Sequence, residues 1–199
     1  MKIYREVNYH IKSSDLRIGD RIDVYLSDVG VFKATVQDVA KDEENNFTYV
    51  TFMFDKCIFD RCMNAARTNL GGYDTSDMKS WLDDTVFNLF PDELKNIMTC
   101  LTLPTYEMIF GVDEWGKRSL KITNDKQFVL MRDRRNRISD CCDEPDSYWV
   151  RNSASQSIDT ESFGLVYADG TPSLSSAVYP YGVRPIFTIE VEGGEVVNE

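Results

Sequence analysis

The stretch of sequence that decides the fold is residues 147–199, which read SYWVRNSASQSIDTESFGLVYADGTPSLSSAVYPYGVRPIFTIEVEGGEVVNE. It opens with the aromatic and cationic step YWVR and closes with GVRP, which leads into an apolar alternation typical of a β-strand. Residues 152–181 between these ends contain no Lys or Arg and seven Ser residues. Such a segment cannot bury enough apolar area to order itself, so the sequence predicts a displayed surface held between two core strands.

The composition of residues 152–181 is typical of binding surfaces. Tyr provides a large amphipathic contact area for the loss of only two torsions, while Ser and Gly adapt to a partner. A plain solvated loop is the alternative interpretation of the same composition. The binding interpretation predicts nine ligand-contacting residues, which are Ser155, Ser157, Asp159, Glu161, Phe163, Tyr167, Asp169, Ser173 and Tyr179.

Three motifs of this stretch, YWVRN from residue 148, VYADG from residue 166 and YGVRPI from residue 181, resemble the carboxy-terminal signature of a family of uncharacterised domains from gut bacteria and their phages. Upstream, IGDRI from residue 18, SDMKSWL from residue 76 and NDKQFVL from residue 124 are similar to further motifs of that family, in the same order. The chain departs from the family pattern at Lys79, Asn152 and Ile186, where Arg, Ser and Ala are usual.

The resemblance implies an α+β fold of the C-type-lectin type, in the branch shared with formylglycine-generating enzymes and the variable proteins of diversity-generating retroelements. In those variable proteins, side chains of the corresponding region are exposed on a rigid fold and fit a ligand. The resemblance therefore implies a non-enzymatic ligand-binding protein whose partner is another protein or a cell-surface glycan. A phage or bacterial assembly subunit is the alternative, and an enzyme of the formylglycine-generating type is a third interpretation.

Four residues are expected to support the displayed surface rather than to bind a ligand. An aromatic ring and a buried guanidinium that donates hydrogen bonds to loop carbonyls would fix each end of the segment. The predicted structural anchors are Trp81, Trp149, Arg151 and Arg184.

Length and charge limit the classes of function. The chain has 199 residues and a formal net charge of −11. This length predicts a single domain at residues 15–199, preceded by an arm or edge strand at residues 1–14 that would join the subunits of a homo-oligomer in the assembly interpretation. The negative charge argues against a nucleic-acid partner.

We find no apolar run of about 18 residues and no secretory leader, so we expect neither a membrane span nor a signal peptide. Synthesis in the cytoplasm follows, with virion association or delivery to a cell surface in the leading interpretation. The cysteines at 57, 62, 100, 141 and 142 are odd in number and are predicted to be free thiols.

Apolar periodicity predicts antiparallel sheets with two short helices and long loops. A three-stranded meander is expected before residue 55. Thr75 or Ser76 is expected to cap the first helix, and the second is placed from Asp92 to Thr99 after Pro91. Gln127 to Met131 is predicted to form a buried strand, followed by a solvated basic tip at residues 132–137.

No catalytic set can be assembled from the sequence. The chain has one histidine, His10, and no cysteine after Cys142, whereas the formylglycine-generating enzymes hold copper with a carboxy-terminal cysteine pair. The spacing of Cys57, Cys62, Cys141 and Cys142 departs from zinc knuckles. Glu144-Pro145-Asp146 is similar to a calcium-binding triplet of sugar-binding lectins, but a cationic Arg151 nearby opposes calcium. The prediction is therefore no catalytic residue, no metal and no cofactor.

Overall fold

A computed structural model describes residues 16–141 and 144–192. The predicted arm at residues 1–14, His10 and Cys142 lie outside this range. The meander is confirmed as three antiparallel strands, in which Ile22, Val24 and Leu26 face the core while the residues between them are more exposed. The strands are β1 (Arg21–Leu26), β2 (Gly30–Asp42) and β3 (Phe47–Phe54).

The first sheet contains five antiparallel strands in the order β1-β2-β3-β12-β5. Two of its strands, β5 (Met98–Thr102) and β12 (Ile186–Glu192), come from parts of the chain far from β1 to β3. The alternation predicted for residues 186–191 is confirmed by β12, which pairs on both sides. Phe187 of β12 stacks on Phe52 of β3 with ring centroids 5.1 Å apart.

The second sheet has the order β10-β9-β8-β11-β4 and is antiparallel except for the β8–β11 pair. A two-stranded ribbon, β6 with β7, stands apart from both sheets. The strands are β4 (Phe59–Arg61), β6 (Ser139–Cys141), β7 (Glu144–Asp146), β8 (Tyr148–Ser153), β9 (Ser162–Val166), β10 (Pro172–Ser176) and β11 (Tyr181–Val183).

The helices are short, and the first one begins where the sequence predicts. Ser76 caps it, because its Oγ accepts a hydrogen bond from Lys79 N at 3.1 Å. This α-helix continues without a break into a π turn, Leu82–Val86, and a 3₁₀ turn, Phe87–Leu89. The helices are α1 (Asp77–Trp81), α2 (Asp92–Lys95), α3 (Tyr106–Phe110), α4 (Glu114–Ser119) and α5 (Arg134–Arg137).

The second predicted helix is wrong beyond Lys95. The chain leaves the helix after one turn, and Met98 begins β5 at the edge of the first sheet. Ile97 is exposed, and its carbonyl accepts a hydrogen bond from Glu190 N at 2.8 Å. Pairing with β12 satisfies the backbone of this segment, so the tertiary contact overrides the local helical pattern.

The strand predicted from Gln127 to Met131 is also wrong. Val129–Arg132 forms a 3₁₀ turn. Met131 of this turn and Phe128 just before it are buried, whereas Val129 is exposed. A spacing of three between the buried residues matches the three residues per turn of a 3₁₀ helix rather than the period of two of a strand. The basic residues that follow form α5 instead of an open tip.

The main core lies between the two sheets and α1, and a second apolar cluster lies beneath α3. Trp149, Phe163 and Phe187 join the two sheets in the main cluster. The α+β class with antiparallel sheets, short helices and long loops is confirmed, with more helices than the two predicted. In the described ranges, no helix is long and apolar enough to cross a membrane.

Candidate functional site

Trp149, at the start of the predicted surface, is completely buried. Its Nε1 donates a hydrogen bond to Arg61 O at 2.9 Å, and its ring meets Tyr181 edge-on with centroids 5.1 Å apart. The ring therefore ties β8 to β4 and β11. Trp81 is only partly buried, where it contacts Phe59 edge-on and carries the Arg61 guanidinium 4.8 Å above its ring.

Arg184, at the end of the predicted surface, is buried with 5 % of its surface exposed. Its Nε donates to Phe54 O at 2.8 Å, and its Nη1 donates to Asn136 O at 3.2 Å and to Tyr148 Oη at 3.3 Å. It therefore links β3, α5 and β8, and two of its partners are carbonyls, as expected for an anchor.

Arg151 does not adopt the expected buried arrangement. Its Nη2 lies 3.3 Å from Asp125 Oδ2, and both side chains are about one-third exposed. The buried hub is its neighbour Asn152, whose Oδ1 accepts from Tyr106 N at 2.6 Å while its Nδ2 donates to Glu107 Oε2 at 3.0 Å. The amide geometry of Asn152, rather than the guanidinium of Arg151, holds the end of β8.

The expectation that residues 152–181 form one continuous displayed surface is corrected. Residues 162–166 form β9, which is buried along its whole length in the middle of the second sheet. Phe163 has no exposed surface and packs in the main core, so it cannot touch a ligand. The apolar alternation of a core strand was masked here by Ser162 and Gly164, which are small enough to be enclosed.

The remaining predicted contacts separate into two groups at opposite ends of β9 and β10. Tyr167 and Asp169 lie in the turn before β10, where Arg134 binds Asp169 Oδ2 at 2.7 Å. The second group lies at the other end of the sheet and consists of Ser155, Ser157, Asp159, Glu161 and Tyr179. Ser173 lies on the edge strand β10, between the two groups.

The second group belongs to a surface made by three loops, which we call the loop face: residues 62–72, 155–161 and 177–180. Asn69 joins the first two loops, because its N donates to Thr160 O at 2.8 Å and its Nδ2 to Ser162 O at 3.0 Å. Ala177 N donates to Glu161 O at 2.9 Å and joins the third loop to the second. Buried hydrogen bonds therefore hold the loop face in one arrangement.

The loop face exposes three large apolar side chains. Leu70 is 75 % exposed, Ile158 is 53 % exposed and Tyr179 is 51 % exposed. Each lies within two residues of a hydrogen bond that joins two of the loops, so the three project from the same end of the second sheet. Leu70 is not among the residues predicted from the sequence, because it lies in a polar loop outside residues 152–181.

Asp159 organises the middle loop and is not a free contact residue. Its Oδ1 accepts hydrogen bonds from Glu161 N at 2.8 Å and Ser162 N at 2.7 Å. Partial burial opposes ionisation of this carboxyl, but the two backbone donors outweigh it, so the net effect is a lowered pKa. Glu161 is held on its other side by Arg67, whose Nε lies 3.8 Å from the Glu161 Oε2 atom.

A cleft of about 360 Å³ lies away from the loop face, between β1, β2 and α5. Arg184, predicted from the sequence as a structural anchor, also contributes to the wall of this cleft. The other lining residues are Gly19, Arg21, Thr35, Gln37, Asp55, Leu130, Met131, Arg135, Asn136 and Ile138. No local sequence signal marks the cleft, because its residues come from five separate segments.

The described residues considered for catalysis or metal binding do not come together in one site. Cys57 is buried beside Ser139, and burial raises the pKa of its thiol to about 11, so it is not a nucleophilic thiolate near neutral pH. Glu144 and Asp146 belong to β7. Among the residues with described positions, no three His, Cys, Asp or Glu side chains form a group that could hold a metal ion.

Comparison with known proteins yields a family but no named relative. A model described as a domain of unknown function, DUF6273, matches residues 48–191. The matched range runs from β3 almost to the end of β12 and includes the whole loop face. No curated protein matches the chain, and no solved structure matches it.

Proposed function

The chain belongs to the DUF6273 family, whose function is unknown. From its own surface, we propose that it is a non-enzymatic ligand-binding protein. The observation that carries this proposal is the loop face, on which Leu70, Ile158 and Tyr179 are exposed from hydrogen-bonded loops. The proposal includes a C-type-lectin-like fold. The α+β class, with its largely antiparallel sheets and short helices, supports this part of the proposal.

Rigid loops on a β-scaffold are a common way to present a binding surface. Asn69 fixes the first two loops of the loop face to each other, and Ala177 N joins the third loop to the second. A surface fixed before binding loses less conformational entropy when a partner docks. Exposure of the apolar side chains of Leu70 and Ile158 to water is unfavourable, which supports a loop face that a partner covers.

The side chains of the loop face favour a protein partner over a glycan. Leu70 and Ile158 are aliphatic and offer no hydrogen bonds, whereas sugar recognition relies on polar groups and stacked aromatic rings. Tyr179 offers both an apolar ring and a hydroxyl, as central interface residues often do. We therefore propose a protein surface as the ligand, with a cell-surface glycan as the alternative outcome.

The experiment is a binding screen of the purified chain against displayed surface-protein fragments and a glycan array. The test variant combines Leu70→Ser, Ile158→Ser and Tyr179→Ala. The control combines Tyr25→Ala, Val31→Ser and Val112→Ser, which remove similarly exposed apolar side chains elsewhere. We expect a protein ligand whose binding is at least tenfold weaker for the test variant and unchanged for the control.

The proposal would be overturned if the wild-type chain bound neither proteins nor glycans, or if the test and control variants bound equally well. Binding to glycans alone would overturn the choice of a protein ligand while retaining the loop face. Tyr167→Ala examines the opposite end of β9 and β10, and we expect it to leave binding unchanged.

A further inference from the structure

The cleft between β1, β2 and α5 differs in charge from the rest of the molecule. Its lining contains three arginines and one aspartate, a formal charge of +2, in a chain whose net charge is −11. Arg21 pairs with Asp55 at 2.8 Å, and Arg135 pairs with Asp133 at 3.0 Å at the rim. A positive concavity in an acidic protein focuses the field on small anions rather than on nucleic acid.

Arg184 is a buried arginine in the wall of this cleft, and none of the described carboxylates pairs with its charge. Its three hydrogen bonds go to neutral oxygen atoms of Phe54, Asn136 and Tyr148. Within the described residues, no carboxylate lies within ion-pair distance of the guanidinium, and no hydrogen bond uses its Nη2. A buried cation without a counter-ion is costly, so an anion bound in the cleft would relieve an existing penalty.

Gln37 provides a second and independent sign of a binding site. It is 3 % exposed, and its Oε1 is a buried acceptor without a hydrogen-bond partner. Its Nε2 makes one long bond, 3.3 Å, to Thr35 O. A buried side-chain amide whose oxygen accepts no hydrogen bond lowers the stability of the fold. Such groups are often retained where a bound ligand donates the missing hydrogen bond.

A β-bulge lies at Gln37 in the wall of the cleft. Val36 of β2 pairs with Phe52 and Asp38 pairs with Thr51, so Gln37 is an extra residue with no partner on β3. Bulges are common beside functional sites. Gln37 and Thr35 are two residues apart and share the face of β2 that lines the cleft, while Val36 on the opposite face packs in the main core.

We propose that this cleft binds a small organic oxyanion, a carboxylate or a phosphate ester, that also carries a hydrogen-bond donor. Arg184 and Arg21 attract the oxyanion from inside the cleft, and Arg135 adds a third positive charge at the rim. Gln37 Oε1 accepts from the donor, and Leu130, Met131 and Ile138 cover the ligand body. The volume of about 360 Å³ falls at the small end of ligand pockets, about 300–1,000 Å³. This inference goes beyond the loop face and shares no residue with it.

The test is calorimetric titration of the full chain at low ionic strength with citrate, glycerol 3-phosphate and inorganic phosphate, with glycerol as the neutral probe. We expect one of the two organic anions to bind more tightly than inorganic phosphate, and glycerol not to bind. Arg135→Ala should weaken binding at least fivefold, whereas Arg118→Ala, an equal charge change on the exposed face of α4, should change it less than twofold.

Gln37→Met separates a binding role from a structural one. It keeps the length of the side chain and removes the unsatisfied acceptor, so we expect thermal stability to be retained or raised while affinity falls at least fivefold. The proposal is overturned if no organic anion binds at 10 mM, or if inorganic phosphate binds as tightly as the organic anions. It is also overturned if Arg118→Ala weakens binding as much as Arg135→Ala, or if Gln37→Met leaves affinity unchanged. None of these outcomes depends on the binding screen of the loop face.

Discussion

At the scale of single residues, three amide side chains hold positions that the sequence marks only as polar. Asn69, Asn152 and Gln37 are each at least 96 % buried. Asn69 and Asn152 bridge segments that are distant in the chain, whereas Gln37 is left half-satisfied in the cleft. An amide has two donors and one acceptor oxygen, so it can join loop backbones that a hydroxyl or an apolar side chain cannot join.

Asn69→Ala is predicted to destabilise the fold and to loosen the loop face. The substitution removes the amide that donates to the carbonyls of Ala154, Asp159 and Ser162, and of these Ser162 O keeps a second hydrogen bond, from Ala154 N. We expect a loss of about 1–3 kcal/mol in the free energy of unfolding, measured by urea denaturation. Asn88→Ala is the matched control, since its amide makes one exposed bond to Asp84 O, and it should cost less than about 0.5 kcal/mol.

Phe163→Ala distinguishes the corrected role of this residue from the predicted one. A ligand-contacting phenylalanine could be removed with little effect on folding. Because Phe163 is fully buried in the main core, we expect its removal to cost about 3–5 kcal/mol. Denaturant titration measures this value, and a cost below about 1 kcal/mol would show that the side chain is not part of the core.

At the scale of elements, the sequence predicts structure well where one local rule acts alone. The alternation of β1 and β12, the dense β-branched and aromatic run of β3 and the capped start of α1 were identified because each depends on a few neighbouring residues. The helix expected at residues 92–99 and the strand expected at residues 127–131 failed for another reason. In both cases, pairing or packing with distant segments decided the outcome, and the local pattern was compatible with either structure.

Ser76→Ala is predicted to weaken the start of α1. Ser76 Oγ accepts from Lys79 N and donates to Tyr73 O at 2.6 Å. The substitution leaves Lys79 N without its acceptor, while Tyr73 O keeps a hydrogen bond from Ser76 N. The expected cost is about 1–2 kcal/mol in the free energy of unfolding, measured by thermal or urea denaturation. Ser80→Ala lies one turn later and loses only a 3.4 Å bond to Ser76 O, so an equal cost for both variants would contradict the cap.

At the scale of the whole molecule, the loop face and the cleft could not be read from the sequence for a common reason. Each is assembled from segments that are far apart in the chain, such as residues 69, 158 and 179 or residues 37, 135 and 184. Composition correctly marked residues 155, 157 and 179 as polar or aromatic surface. It could not show that the strand between them, β9, passes through the core.

Global stability is predicted to fall at alkaline pH through Cys57. Burial raises the pKa of this thiol from 9.0 to about 11, so its contribution is fully present below pH 9 and is lost as pH rises towards 11. We expect the free energy of unfolding to decrease across this window by about 2–3 kcal/mol from this group. Cys57→Ala should flatten the alkaline slope, which denaturant titrations between pH 8 and pH 11 would measure; an unchanged slope would refute the assignment.

The position of β12 between β3 and β5 in the first sheet has a consequence for synthesis on the ribosome. Until residues 186–192 emerge, β3 and β5 have no strand between them, and β3 presents an open edge rich in β-branched and aromatic side chains. A nascent chain that already contains most of the core sequence is therefore unable to close its first sheet. Such edges recruit other strands, so ribosome-bound chains are expected to depend on a holding chaperone until β12 arrives.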